Sequence, residues 1–174
     1  LTISVNLSVR QFQQPGLAAE ITRRITDCGL PPQSVKLEVT EGILVERHSV
    51  APELLADLRA CGLQILIDDF GTGYSSLSYL HTIPCDTLKL DGSFIRDIVQ
   101  DDRLRAIVGA SIGLAHDLGM TVVAECIERQ DQADLLHTLG CDFGQGYLYA
   151  RPGPGAEAQA WLHHTFLPQR SAEQ

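Results

Sequence analysis

Six strand-like runs recur along the chain, and a segment with helical periodicity separates each run from the next. The runs span residues 1–8, 34–41, 63–70, 86–91, 120–128 and 142–149. In the first intervening segment, Leu17, Ile21 and Ile25 recur along one face of a helix. Gly29 follows this segment and Gly62 follows the next, as expected where helices end. The alternation predicts a mostly parallel sheet with helical crossovers.

Polar and apolar residues alternate within several of the predicted strands. In the fourth strand, for example, Leu88 and Leu90 are apolar, whereas Thr87 and Lys89 are polar. A parallel strand covered on both faces is apolar throughout, but a strand of a β/α barrel turns one face to the helices and the other to the interior. An open doubly wound sheet, the alternative, does not need polar alternation on so many strands. The pattern therefore favours a TIM-like (β/α)8 barrel, of which the chain supplies about six units.

Charge and hydropathy exclude several classes of function. The net charge is −9 over 174 residues, which argues against binding to nucleic acid or to an anionic membrane. No apolar stretch approaches the roughly 20 residues of a membrane span, and no signal peptide is visible. The five cysteines form no CxxC motif and lie in apolar surroundings, which predicts reduced, buried thiols in a cytoplasmic protein or domain.

Polar residues collect at or near the carboxyl ends of the predicted strands, where barrel active sites form. They are Asn6, Glu38, Glu41, Asp68, Asp69, Lys89, Asp91, Glu125, Glu128 and Gln145. Most offer hard oxygen ligands, which suit Mg²⁺ or Mn²⁺, and no histidine or cysteine pair has zinc spacing. Asp68 and Asp69 can share two ions about 4 Å apart, with Asp68 as the bridge, to activate a water and neutralise a phosphoryl oxygen. Lys89 would then orient that water or meet phosphate charge.

Each of these residues has an ordinary structural explanation when it is taken alone. An Asp-Asp pair after a strand is usually a helix N-cap beside a solvated neighbour, and Glu38 or Lys89 can be half of a surface ion pair. The glycine-rich stretch at 71–76 permits a tight loop but is no phosphate-binding motif by itself. The common parity of the polar residues on successive strands is what favours a shared site.

Six short segments carry a resemblance to a known family. They are VNLS, LEVTE, DDFGTGYSSLSYL, DTLKLDGSFI, VVAECIE and GCDFGQGYLYARP. In this order they resemble the successive signatures of the EAL domain family, which are phosphodiesterases of the bacterial second messenger cyclic di-GMP. The resemblance implies an EAL-type barrel over residues 1–167 and a polar tail at 168–174. It also implies hydrolysis of cyclic di-GMP to linear pGpG by a two-metal mechanism.

The resemblance further implies a set of metal ligands. These are Asn6, Glu38 and Asp68 for a first ion, and Asp68 and Asp69 for a second. Glu125 and Gln145 would assist the ions or their waters, and Lys89 would stand beside the nucleophilic water. Mg²⁺ or Mn²⁺ is the expected cofactor, whereas the larger Ca²⁺ is expected to substitute poorly and to inhibit.

Partners are implied by the same resemblance. Glu41 matches the acid that holds the loop at 70–76, which in the family often borders a dimer interface, so a homodimer through this loop is expected. Glu41 follows Glu38 by three residues, so strand parity turns it to the other face, where it is expected to accept hydrogen bonds from Thr72 to Ser76. Tyr149 and Pro152 fall where the family flanks a guanine of the substrate. Upstream sensory or GGDEF-type domains are expected in a longer parent protein, because the chain begins at Leu1 within an apolar strand-like run.

Two features depart from the family pattern. The Glu-Ala-Leu stretch, with its metal-binding glutamate, is absent, and Cys126 replaces a glycine usual in the family. With six of eight strands, the 174 residues are expected to form an opened, inactive barrel whose two sheet edges are covered by other segments. Two alternatives stay open. One is a degenerate receptor that binds cyclic di-GMP without hydrolysis, and the other is an enolase-like Mg²⁺ barrel enzyme with Lys89 as base.

Overall fold

A single parallel sheet organises the computed structural model, which describes residues 2–46, 51–72 and 80–157. Its strands, in both chain and spatial order, are β1 (Ile3–Asn6), β2 (Val35–Thr40), β3 (Gln64–Phe70), β4 (Thr87–Leu90), β5 (Thr121–Ala124) and β6 (Phe143–Gly144). Each strand pairs in parallel with the next. A doubly wound sheet would reverse its strand order at a switch point, so this strict order is that of a β/α barrel.

Helices connect the strands as the apolar periodicity predicts. They are α1 (Val9–Phe12), α2 (Leu17–Asp27), α3 (Glu41–Glu46), α4 (Ala51–Ala60), α5 (Gly92–Ile95), α6 (Asp102–Asp117) and α7 (Gln130–Thr138), with a 3-10 turn at Pro32–Ser34. Gly29 and Gly62, with φ of 68° and 88°, follow α2 and α4 in the left-handed conformation, as predicted. Across the described residues, every helix is too short or too polar to cross a membrane.

The core lies between the central strands and the helices. Leu37, Ile65 and Leu88 are 3%, 0% and 1% exposed on the helix-facing side of β2, β3 and β4. Each such side chain contributes roughly 1.5–3 kcal/mol to the free energy of unfolding through burial of apolar surface. The opposite face of these strands carries the polar residues, among which Glu38 and Lys89 are also buried. The predicted parity of apolar and polar positions is therefore confirmed.

The sheet is curled into a half-barrel, as one side-chain contact across its concave face demonstrates. The ammonium of Lys36 on β2 lies 5.9 Å from the ring centroid of Phe143 on β6. Three strands separate β2 from β6, so a flat sheet would hold their backbones about 19 Å apart, with side chains standing perpendicular to the sheet. The two residues can meet only if the sheet bends toward its polar face. The TIM-like fold class is confirmed.

The half-barrel has two open edges within the described residues. β1 pairs with β2 alone and β6 with β5 alone. Ile3 and Val5 on β1 are 60% and 46% exposed, and Phe143 on β6 is 55% exposed. Apolar side chains beside unpaired backbone groups are the surface that another strand or chain covers in closed sheets. The two edges expected of a six-stranded sheet are therefore present.

The last two strands are shorter than predicted. β5 ends at Ala124 rather than residue 128, and Cys126 beyond it has a φ of 55°, outside the extended region. β6 contains two residues rather than eight, because the chain turns at 146–149, where the Tyr149 amide donates to the Gly146 carbonyl at 3.1 Å. Glu125 and Gln145 consequently lie in loops just beyond their strands.

The cysteines are free thiols, as expected, but their predicted burial is wrong. Cys28 and Cys126 are exposed, and Cys61, Cys85 and Cys141 are half-buried. Cys28 caps the end of α2 and Cys126 lies in the loop after β5. Apolar neighbours in the sequence therefore do not place a residue in the core when it stands at the end of an element.

Candidate active site

A single lysine stands at the centre of the polar face. The Lys89 ammonium donates to Glu38 Oε2 and Asp68 Oδ1, both at 2.8 Å, and pairs with Glu125 Oε1 at 2.7 Å. The Lys89 side chain is only 5% exposed. Glu38 lies on β2, Asp68 on β3, Lys89 on β4 and Glu125 directly after β5. One ammonium therefore joins four successive segments of the sheet at their carboxyl ends.

Strand parity and strand pairing place these groups together. Glu38 stands opposite Leu66 of β3, so Asp68 follows one inward position further along. The backbone amide of Glu125 still donates to the Leu90 carbonyl at 3.2 Å, which keeps this residue against β4 although β5 has ended. The side chains converge because neighbouring strands of a curled sheet direct their inward residues to a common interior.

Asp69 reaches the same cluster through a break in the strand. Consecutive strand residues point to opposite faces, so regular geometry would turn Asp69 away from Asp68. Instead, the pairing of β3 with β4 shifts between Ile67 and Phe70, which is the signature of a bulge, and Asp69 adopts a φ of 55°. The Asp69 amide donates to Asp68 Oδ1 at 3.1 Å. The bulge turns the Asp69 carboxylate toward the cluster. Strained backbone of this kind is frequent at functional sites.

The cluster holds more negative charge than its lysine neutralises. When all are ionised, the carboxylates of Glu38, Asp68, Asp69 and Glu125 and the one ammonium leave a net charge of −3. Burial opposes the charge on Lys89, but its three carboxylate partners outweigh burial and hold the lysine pKa above its usual range. Burial and the Asp68 charge raise the pKa of Asp69. Burial also raises the pKa of Glu125, against the opposing effect of Lys89. Further positive charge would stabilise the ionised cluster.

The spacing of the carboxylates fits a divalent ion. One oxygen each from Asp68, Asp69 and Glu125 lie within 4.8 Å of one another. Two oxygens on opposite sides of an ion are separated by twice the metal–oxygen distance, about 4.2 Å for Mg²⁺ and about 5 Å for Ca²⁺. Small side-chain movements would therefore bring these three ligands onto one ion. All are hard oxygen donors, as Mg²⁺ and Mn²⁺ require.

Glu41 contacts the loop that follows β3, but not by the geometry expected. It begins helix α3 rather than continuing β2, so the argument from strand parity is wrong. Its Oε2 accepts from the Gly71 amide at 3.0 Å, and the residue is buried. The expected partners were Thr72 to Ser76, of which residues 73–76 lie outside the described part of the chain. The predicted contact with this loop is present, one residue earlier than expected.

The remaining predicted residues lie at neighbouring strand ends. Asn6 ends β1 and is paired in register with Glu38. Gln145 follows β6, and its backbone bonds to Ala124 and Ile127 hold it beside β5. The Tyr149 hydroxyl packs over the α-carbon of Gly144, and Pro152 is exposed in the segment that follows. Their roles in metal or substrate binding stay predictions.

Two other residues of the polar set, Asp91 and Glu128, take part in local hydrogen bonds at the starts of helices. The carboxylate of Asp91 caps helix α5 by accepting from the Ser93 amide at 2.9 Å. Hydrogen bonding from Ser93, the largest effect, holds the pKa of Asp91 below its usual value although burial opposes it. Glu128 has an exposed side chain, and its amide donates to Gln132 Oε1. Asp91 is therefore a helix N-cap, the ordinary structural role that the sequence also allowed for Asp68 and Asp69.

Gln132 was not identified from the sequence, although its amide is among the most buried polar groups described. Gln132 precedes Leu135, Leu136 and Leu139 by three, four and seven residues, so it lies on the same face of the helix as these leucines. A glutamine on the apolar stripe of a helix was the available signal, because a buried amide needs partners for all its hydrogen-bonding groups.

Fold and site together define a class of protein: a parallel β/α half-barrel with an acidic, lysine-centred cluster at the carboxyl ends of its strands. Sequence comparison gives the family within this class. The family model described as EAL domain matches residues 1–152. The chain belongs to the EAL domain family.

Relatives with names and structures support this membership. The cyclic di-GMP phosphodiesterase NbdA of Pseudomonas aeruginosa is 40% identical over 162 residues, which are 93% of this chain and 21% of NbdA. The crystal structure of the EAL domain of Mycobacterium smegmatis DcpA has a TM-score of 0.89 and 38% identity, and the match covers 93% of this chain and 73% of that domain.

A third relative has been solved with metal and ligand. Klebsiella pneumoniae BlrP1, in manganese/cy-diGMP and calcium/cy-diGMP complexes, has a TM-score of 0.82 and 34% identity, covering 87% of this chain and 39% of BlrP1. The chain spans only 20% to 28% of the length of curated relatives such as YkoW of Bacillus subtilis and PA2567 of Pseudomonas aeruginosa.

Replacing Glu41 with alanine in the full-length protein is expected to weaken Mn²⁺ binding or turnover about 10- to 100-fold, the usual effect of losing a residue that supports metal ligands. The Gly71 amide would lose its carboxylate partner, and the loop that follows Asp69 would loosen. Isothermal titration with Mn²⁺ and far-UV circular dichroism measure metal affinity and fold. Glu53→Ala, at an exposed position of α4, is the control. Parent-like affinity, turnover and loop order in Glu41→Ala would remove this role.

Replacing Cys126 with glycine is expected to raise the free energy of unfolding by about 1 kcal/mol, because the left-handed conformation is costly for a residue with a side chain. The φ of Cys126 is 55°. Cys28→Gly is the matched control, since Cys28 is also exposed but has a right-handed φ of −81°. Urea denaturation compares the two variants. An equal or larger gain in Cys28→Gly would contradict the role of backbone strain.

Proposed function

We propose that this chain carries the active site of a metal-dependent phosphodiesterase that hydrolyses cyclic di-GMP to linear pGpG. The observation that carries the proposal is the partly buried cluster in which Lys89 joins Glu38, Asp68 and Glu125 beside Asp69, with a net charge of −3 when all are ionised. A site with this charge favours cations, and through them an anionic phosphodiester. Family membership and the phosphodiesterase name of NbdA support the choice of substrate.

Two Mg²⁺ or Mn²⁺ ions are the proposed cofactor. Asn6, Glu38 and Asp68 would hold the first ion, and Asp68 and Asp69 the second, with Glu125 and Gln145 assisting the ions or their waters. The approach of oxygens from Asp68, Asp69 and Glu125 to within 4.8 Å of one another supports this arrangement. When bound, such ions polarise a phosphoryl oxygen and lower the pKa of a bound water. The manganese complex of BlrP1 supports this choice. Ca²⁺, whose bonds to oxygen are longer and less directional, is proposed to inhibit.

The protein's own groups orient the reactants. Lys89 keeps Glu38, Asp68 and Glu125 at fixed spacing through bonds of 2.7–2.8 Å. These bonds use all three donors of the ammonium, so Lys89 would donate to the water or to a phosphate oxygen by giving up one of them. Glu41 steadies the loop beside Asp69 through the Gly71 amide. Tyr149 and Pro152 would contact a guanine base. These groups hold the substrate and its attacking oxygen in line, which lowers the entropic cost of reaction.

Lys89 is a poor candidate for the base of an enolase-like enzyme. A general base needs a free lone pair and a pKa near the working pH. Lys89 instead donates to three carboxylates, and this environment favours its protonated form. The geometry therefore supports phosphodiester hydrolysis over proton abstraction beside a carboxylate.

The proposed partners are other parts of the protein and a second copy. A homodimer would form through the loop at 70–76, and sensory or GGDEF-type domains would precede this one and regulate it. The name of MucR, a bifunctional diguanylate cyclase/cyclic di-GMP phosphodiesterase of Pseudomonas aeruginosa, supports such an arrangement. The 174 residues alone are proposed to be inactive, because they lack the Glu-Ala-Leu glutamate of the family.

Incubation with cyclic di-GMP and Mg²⁺ or Mn²⁺, followed by chromatography, tests the proposal. The full-length protein is expected to release pGpG, whereas the 174-residue chain is expected to release none. Ca²⁺ added with Mg²⁺ should lower the rate. Tight binding of cyclic di-GMP by the full-length protein without turnover would indicate the receptor alternative. Absence of both binding and turnover would overturn the proposal.

A further inference from the structure

A buried glutamine links the loop after β5 to helix α5. Gln132, in the first turn of α7, is 2% exposed. Its Oε1 accepts from the backbone amides of Glu128 and Arg129, both at 3.0 Å. Its Nε2 donates to the carbonyls of Ile95 and Arg96, both at 3.1 Å. A primary amide offers two donors and two acceptor sites, so this side chain makes every bond available to it.

The linked segments belong to neighbouring units of the barrel. Residues 125–129 follow β5 without regular secondary structure and carry Glu125. Helix α5 begins directly after the segment that carries Lys89. Gln132 therefore ties the loop of one cluster residue to the helix that follows another. Its four partners are all backbone groups, so the bonds fix the course of the chain irrespective of neighbouring side chains.

The first half of the loop is held at Glu125 and at Ile127, which is 1% exposed. The Glu125 amide donates to the Leu90 carbonyl, and the Ile127 amide donates to the Gln145 carbonyl. The Ile127 carbonyl accepts from the Leu148 amide. Between Glu125 and Ile127, Cys126 has a left-handed φ of 55°, which a flexible loop would not keep without restraint. The bonds from Gln132 at 128–129 anchor the far end of this strained segment.

We infer that Gln132 is a positioning residue that holds the 125–129 loop against helix α5 and thereby sets the place of the Glu125 carboxylate beside Asp68, Asp69 and Lys89. The inference rests on the proposed function, because it assigns Gln132 to the same metal and phosphodiester site. Gln132 touches neither metal nor substrate. Its effect is transmitted through the backbone, as with residues that support metal ligands and commonly change metal affinity or activity 10- to 100-fold.

Gln132→Met in the full-length protein tests the inference, since methionine keeps the length of the side chain and loses all four bonds. Its dissociation constant for Mn²⁺ is expected to rise 10- to 100-fold and kcat to fall by a similar factor, with KM for cyclic di-GMP changed less than about threefold. Hydrogen exchange at the Glu128 and Arg129 amides should accelerate. The control is Gln130→Met, an exposed residue of the same helix whose Nε2 bonds to Asp134.

A second variant keeps the test decisive if methionine prevents folding. Gln132→Glu retains the acceptor for Glu128 and Arg129 and, as the neutral acid that burial beside two carbonyl oxygens favours, one of the two bonds to Ile95 and Arg96. It is expected to raise the Mn²⁺ dissociation constant by a smaller factor than Gln132→Met. A folded Gln132→Met or Gln132→Glu protein with parent-like Mn²⁺ affinity, turnover and amide exchange would overturn the inference.

The outcomes separate this inference from the proposed function. A parent protein that binds Mn²⁺ but does not hydrolyse cyclic di-GMP would contradict the function, while the shift in Mn²⁺ affinity would still support Gln132 as a positioning residue. An active parent whose variants bind Mn²⁺ unchanged would contradict the positioning role alone. A parent that binds no Mn²⁺ would overturn both.

Discussion

Asp68→Asn in the full-length protein is expected to lower the turnover of cyclic di-GMP by more than about a hundredfold, equivalent to at least about 3 kcal/mol of transition-state stabilisation. Asp68 is a proposed ligand to both ions, so the substitution removes charge from two sites at once. It also replaces the charge-assisted bond from Lys89, 2.8 Å long, by a weaker one. Asparagine matches aspartate in shape, so the expected loss arises from charge rather than from packing.

Steady-state kinetics at saturating Mg²⁺ or Mn²⁺ measures this loss. Asp57→Asn removes a carboxylate from an exposed position of α4 and is expected to leave turnover within about twofold, since surface charges outside the site have small effects. If Asp68→Asn hydrolysed cyclic di-GMP at close to the parent rate, the assignment of two ions to this cluster would be wrong.

Lys89→Met is expected to lower the free energy of unfolding by about 3–5 kcal/mol in the presence of EDTA, because removal of one partner leaves buried charge uncompensated. The cluster would then hold four carboxylates without a cation, and the side chains of the three direct partners of Lys89 are only 9–16% exposed. Mn²⁺ should recover part of the loss, since a bound ion stabilises the folded state by mass action. Hydrolysis should be largely lost in either condition.

Urea denaturation with EDTA and with Mn²⁺ measures the two effects separately. Lys36→Met is the control, because Lys36 is also a lysine of the concave face but contacts the ring of Phe143 rather than a carboxylate. Its loss should cost about 0.5–1 kcal/mol, the usual contribution of an exposed cation–π contact, with no dependence on Mn²⁺. If Lys89→Met and Lys36→Met lowered the free energy of unfolding equally, the carboxylate partners of Lys89 would not account for its contribution to stability.

Strand parity made the fold and much of the site predictable. The alternation in Thr87, Leu88, Lys89 and Leu90 predicted which face would be apolar and which would carry chemistry. Leu88 and Leu90 lie in the apolar core, and Lys89 bonds to Glu38 and Asp68 on the opposite face, as this alternation requires. Glu38 and Lys89 come together because both obey the period of two on neighbouring parallel strands. Parity is a local property of the chain, and a single sequence reports it directly.

Most of the features that the sequence did not predict lie where the backbone departs from regular strand geometry. Asp69 joins the cluster through a bulge and a φ of 55°, and strand parity would have sent it to the opposite face. Glu41 begins a helix where a strand was expected. Gln132 bonds to groups 36 and 37 residues away in the chain, and a pairing between an amide and distant carbonyls leaves no pattern in one sequence.

The contact between Lys36 and Phe143 bears on the width of the opening above it, at the carboxyl ends of the strands. Glu38 stands two residues beyond Lys36 on the same face of β2, one layer nearer the carboxyl ends of the strands, and Gln145 follows Phe143 by two residues just beyond β6. The Lys36 ammonium lies 5.9 Å from the centroid of the Phe143 ring, and such contacts contribute about 0.5–1 kcal/mol. Thermal motion can therefore break this contact at the floor, whereas the bonds of Lys89 to Glu38 and Glu125 hold the same walls together in the layer above. The width of the opening at the carboxyl ends is thus set by the lysine and its carboxylates rather than by the floor of the half-barrel.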